Sequence, residues 1–166
     1  MSKQSPSRPI TALLEGYSKN KKHPLEFIQW VYIPLLLFGL LGIVWSIPFP
    51  HLNFLGKYNG FVNWASFLLA AFIYYYYRLS PLVSYVILLS IFAFSAGIVG
   101  LEKLQKVGYP RMEVISLVIF ILGILILFLG YQRSNQKISI KSFLDELLVG
   151  PIWLVQLIFS RWGFKI

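Results

Sequence analysis

Four long apolar runs, Phe27–Ile47, Phe61–Tyr77, Pro81–Leu101 and Val114–Tyr131, are separated by short loops that carry nearly all of the charge. Crossing a bilayer takes ~20 apolar residues at ~1.5 Å of rise each. The hydrocarbon core offers no water to backbone N–H and C=O groups, so each run must satisfy its own, as a helix. The pattern predicts an all-α, polytopic membrane helical bundle with four transmembrane helices. A soluble four-helix core would need polar outer faces, and these runs have none. Hydrophobic residues make up 57% of the chain, above the ~45–50% of ordinary soluble domains.

The flanking segments divide the chain further. Residues 1–26 form a polar, basic arm with Pro6, Pro9, Lys19, Lys21 and Lys22. No cleavable signal peptide is visible there, so the first run serves as an uncleaved insertion signal. Ile10, Leu13, Leu14 and Tyr17 recur at helical spacing, which predicts a short amphipathic helix on the membrane surface. Residues 27–131 hold the transmembrane domain. Residues 132–166 begin with a basic strip and end in two apolar stretches, Phe143–Val149 and Ile152–Phe159, broken by Gly150-Pro151. Neither stretch spans a bilayer alone, which predicts a broken amphipathic or re-entrant element. Asp145 and Glu146 near its start count against a full crossing. With the N-terminus inside, Lys and Arg divide eleven inside to four outside. Both termini are therefore expected in the cytoplasm.

The inventory for chemistry is small. Cysteine is absent, and the two histidines are His23 and His51. Ser80, Ser90 and Ser95 have no histidine neighbour in sequence to activate them. The apolar cores of the second, third and fourth runs carry no charge, which argues against a transporter, channel or pump. The net charge of +9 lies beside membrane segments and suits anionic lipid head groups rather than nucleic acid. Tyr74, Tyr75, Tyr76, Tyr77 and Arg78 close the second run and read as a membrane-interface belt. Ala93, Ala96, Gly97 and Gly100 place small residues four apart on the third run, which lets helix backbones pack closely. Gln29, Asn63 and Gln156 are polar groups near lipid level.

Several stretches carry a resemblance. They are Gln29-Trp30-Val31-Tyr32-Ile33-Pro34, Trp45-Ser46-Ile47-Pro48, Val62-Asn63-Trp64-Ala65, Tyr76-Tyr77-Arg78-Leu79-Ser80-Pro81, Gly130-Tyr131 and Leu147-Leu148-Val149-Gly150-Pro151-Ile152-Trp153. In order and spacing, over roughly residues 16–163, the chain resembles the small bacterial relatives of the fungal 2-hydroxy fatty acid dioxygenase. That enzyme acts in the metabolism of phytosphingosine to odd-numbered fatty acids. The resemblance implies iron(II)-dependent removal of one carbon from a 2-hydroxy acyl chain, with histidines holding the metal at the membrane surface.

The chain departs from the family where that chemistry belongs. Gln29 fills one histidine slot, Tyr131 stands for the histidine of a Gly-His pair, and Ser134 for an acidic residue. His23 is the one candidate remnant of an upstream histidine, and so the one candidate metal ligand. The expectation is a non-catalytic relative with no cofactor. It would contact membrane lipids as an accessory or structural subunit of a larger complex in a bacterial inner membrane. An active Fe(II) dioxygenase and a small transporter or channel are the alternatives.

Overall fold

The computed structural model describes residues 9–19, 25–50, 52–54, 56, 62–134 and 138–163. His23 and His51 lie outside them. The described residues form seven helices and no strand: α1 (Pro9–Lys19), α2 (Leu25–Ser46), α3 (Trp64–Leu79), α4 (Pro81–Lys106), α5 (Met112–Arg133), α6 (Ile140–Leu148) and α7 (Gly150–Arg161).

Three of these, Phe27–Ser46 within α2, α4 and α5, are long and apolar enough to cross a membrane. α6 and α7, bent by 47° at their junction, pass the same test only as a pair. The run that begins at Phe61 becomes a helix only from Trp64, because Asn63 caps it. Asn63 Oδ1 accepts from Ser66 N at 2.9 Å, and Ser66 Oγ accepts in return from Asn63 N at 3.3 Å. This reciprocal pairing satisfies donors that a helix start leaves open. The 16 residues that remain in α3 span about 24 Å, less than the ~30 Å of a hydrocarbon core. Four spans therefore stand as three by this measure, with α3 the short one.

Helices α2 to α5 alternate in direction. Ser80 alone separates α3 from α4, capping the end of one and the start of the other, with Pro81 opening α4. Proline suits that place, since a helix's first N–H has no intrahelical partner. At the opposite end, Gln105 Oε1 accepts from Met112 N at 3.0 Å and pins the turn into α5. Leu41, Ala65, Ile98 and Met112 form a core there, drawn from α2, α3, α4 and α5.

The other end holds two cores. One joins Ile10, Leu14 and Tyr17 of α1 with Tyr76, Val83, Ile87, Ile152 and Val155. The second joins Tyr32, Ile33 and Leu36 of α2 with Leu127, Tyr131, Leu147 and Leu154. Here α1, α6 and α7 gather around the start of α2, the end of α3, the start of α4 and the end of α5. The buried face of α1 is the one expected from its periodicity.

α2 and α5 are in close contact along Gly39, Gly42 and Gly123. A Cβ at Gly39 would sit 2.7 Å from the backbone nitrogen of Phe120, and one at Gly42 would collide with Ser116 Oγ. Without a strong hydrophobic drive between helices in lipid, such close approach is a main source of cohesion.

Candidate functional site

Glu146 is 1% exposed, although it lies on a short helix at the end of the bundle. α6 has a strongly one-sided pattern, with Phe143, Glu146 and Leu147 turned inward and Ile140 and Leu144 outward. The carboxylate therefore travels inward with its apolar neighbours. Its two oxygens meet phenols from three other helices. Tyr17 of α1 donates to Oε2 at 2.6 Å and Tyr32 of α2 donates to the same oxygen at 2.7 Å. Tyr131 of α5 donates to Oε1 at 2.8 Å. Gln29 extends the knot, its Nε2 donating to the Tyr17 hydroxyl at 3.3 Å. Gln29 is fully buried, and its Oε1 has no partner among the described residues.

The geometry suits an acceptor-only carboxylate taking several short, charge-assisted bonds. Each phenol spends its one proton on Glu146, so the Tyr17 oxygen can only accept from Gln29. Burial, and then the charge of Glu146, push the Tyr17 phenol well above its ordinary range. Tyr17 stays neutral, a donor, at any physiological pH. The Trp153 ring lies 5.8 Å from the Tyr17 ring and walls the knot on the α7 side.

The residues singled out in the sequence fall in several places. Gln29 and Tyr131 are brought together through this knot, Tyr131 directly and Gln29 through Tyr17. Ser134 is buried just past α5, and its Oγ donates to the Tyr131 carbonyl at 3.0 Å, closing that helix. An iron ligand needs a free lone pair turned to a shared open point. In these three slots the Tyr131 hydroxyl and Ser134 Oγ are engaged by the knot and the helix end, whereas Gln29 Oε1 keeps an uncommitted lone pair. Among the described residues no group of three His, Cys, Asp or Glu side chains converges.

Tyr74 and Tyr77 are exposed, Tyr75 is half-buried and Tyr76 is 1% exposed. Arg78 is exposed. Gly97 faces Phe38 of α2, whereas Gly100 faces open space and Ala93 and Ala96 are exposed. Tyr17, Tyr32 and Glu146 were not singled out as functional. The available signal was a carboxylate inside an otherwise apolar helical period.

Beside the knot, a cavity of about 220 Å³ opens between α2, α3, α4 and α7. Its lining is almost wholly apolar, with no charged side chain. Trp30 and Ser90 at its rim are exposed, while Ile33, Tyr76, Ile87 and Val155 are buried. Ile33 belongs to both places: it lines the groove, and its Cδ1 packs where a Cβ of Gly150 would come within 2.8 Å.

Compared with protein-family models, curated proteins and solved structures, the chain finds no match.

Proposed function

We propose that the chain is a lipid-contacting membrane bundle without a catalytic metal centre, acting as an accessory or structural subunit of a membrane complex. The groove between α2, α3, α4 and α7 carries this reading. At about 220 Å³ it is larger than a ~150 Å³ apolar cavity that admits benzene, and its apolar walls match a lipid tail. The phenol–carboxylate knot supports the non-catalytic part: residues in the slots where the resembled family keeps metal ligands serve here to fasten helices together. Small residues on α4, the exposed Ala93 and Ala96 with Gly100, which faces open space, would let a partner helix approach closely. The setting proposed is a bacterial inner membrane with both termini cytoplasmic, following the Lys/Arg distribution.

Mass spectrometry of the full chain released in mild detergent tests the reading. The expected spectrum has a retained lipid and a defined partner complex. A monodisperse, lipid-free particle carrying stoichiometric iron would overturn it.

A further inference from the structure

The outward face of α3 is shorter than those of α4 and α5. Trp64, Phe67, Ala70, Ala71, Tyr74 and Tyr77 are exposed along it. Trp64 closes this strip at one end, and Tyr77 with the exposed Arg78 closes it at the other. The rise from Trp64 to Tyr77 is about 20 Å. On α5 the outward strip runs between the exposed Glu113 and the exposed Gln132, about 28 Å. On α4 it runs from Leu82 to Glu102, about 30 Å. The last two match the ~30 Å hydrocarbon core of a bilayer, and the strip on α3 falls well short of it.

Both borders of the α3 strip are held in place. Trp and Tyr rings settle at the level of the head groups. The Trp64 Nε1 donates to the Pro48 carbonyl at 3.2 Å, and the Phe49 ring packs edge-on against the indole at 5.3 Å. Phe49 also lies 5.9 Å from the Phe67 ring. The segment leaving α2 thus folds against the first turn of α3 and fixes its aromatic border. At the other end Ser80 joins α3 directly to α4, which leaves no further turn of α3 to lengthen the strip.

A hydrophobic surface shorter than its bilayer is matched by thinning the lipid, by snorkelling side chains or by oligomerising. A long snorkelling side chain, Arg78, stands at one border, and a tethered indole stands at the other. Resting on the lipid-contacting reading above, we infer that the α3 face thins the bilayer beside it and gathers short-chained lipids there, whereas the α5 face does not. Leu68, Leu69 and Phe72 of α3 also line the groove, so the lipids gathered along α3 are those that border it.

The chain has no cysteine, so one bimane can be attached at Ala70→Cys on α3 or at Leu122→Cys on α5, both exposed and both near the middle of their strips. Each labelled full chain is placed in vesicles that hold a fixed share of a phosphatidylcholine with a mid-chain nitroxide, which quenches the fluorophore on contact. The rest of the vesicle is either short-chained dimyristoleoyl phosphatidylcholine or long-chained dierucoyl phosphatidylcholine. At the α3 label the short lipid should exclude the quencher about twofold better than the long one, because mismatch carries a modest cost per ångström. At the α5 label the long lipid should exclude it at least as well as the short one. The same response at both labels overturns the inference and leaves the lipid-contacting bundle in place. Quenching at the α5 label alone would put another chain, not lipid, against α3 and overturns it too. If neither label is quenched, the bundle is not in the bilayer, and the lipid-contacting reading falls as well.

Discussion

At the scale of single residues, Glu146 decides how one end of the molecule holds together. Three phenols from three helices converge on it, so its charge is distributed over bonds that a neutral group makes less well. Glu146→Gln keeps the shape but turns a two-oxygen acceptor into one acceptor and one donor. It should cost about 2–4 kcal/mol, seen as a lower thermal midpoint in detergent. Glu102→Gln is the control, since Glu102 makes an exposed pair with Lys106 at 3.2 Å, and such pairs contribute ~0–1 kcal/mol. Equal midpoints for the two variants would show that the knot holds nothing. The knot was only half legible in the sequence. Gln29 and Tyr131 stood out because they fill slots where other residues were expected. Tyr17 and Glu146, separated by 129 positions, were read as the fourth position of an apolar stripe and as an argument against a crossing. Reading one helical period at a time does not reveal which stripes meet.

At the scale of elements, length and apolar period made the helices legible. Composition cannot tell which apolar residues lead into a helix and which belong to it. That is why the helix of the second run starts at Trp64, behind the Asn63 cap. Small residues posed a similar difficulty. The sequence drew attention to α4, yet the closest backbone approach is between α2 and α5, at Gly39, Gly42 and Gly123. The contrast is measurable. Gly39→Ala forces a methyl group against the backbone of Phe120 and should destabilise by about 1–3 kcal/mol. Gly100→Ala meets open space and should be neutral or slightly stabilising, because alanine is the better helix former. Thermal unfolding of both proteins in the same detergent compares them, and a Gly39→Ala protein as stable as Gly100→Ala would contradict the packing described.

At the scale of the whole molecule, alternating helices place the α4–α5 turn at one end and α1, α6 and α7 at the other. Val107, 78% exposed in that turn, and Ile140, 83% exposed at the start of α6, mark the two ends. The chain has no cysteine, so single cysteines can be introduced without background. Val107→Cys and Ile140→Cys should react with a membrane-impermeant maleimide from opposite sides of sealed vesicles. Labelling of both from one side would mean that the bundle does not cross as described.

The bond between Tyr17 and Glu146 also sets an order of events during synthesis. Helices α2 to α5 can enter the bilayer as neighbouring hairpins while translation continues. α1 has no carboxylate to fasten to until α6 has left the ribosome. The clasp thus waits for α6, and a chain halted after α5 would hold three phenols bereft of their common anchor.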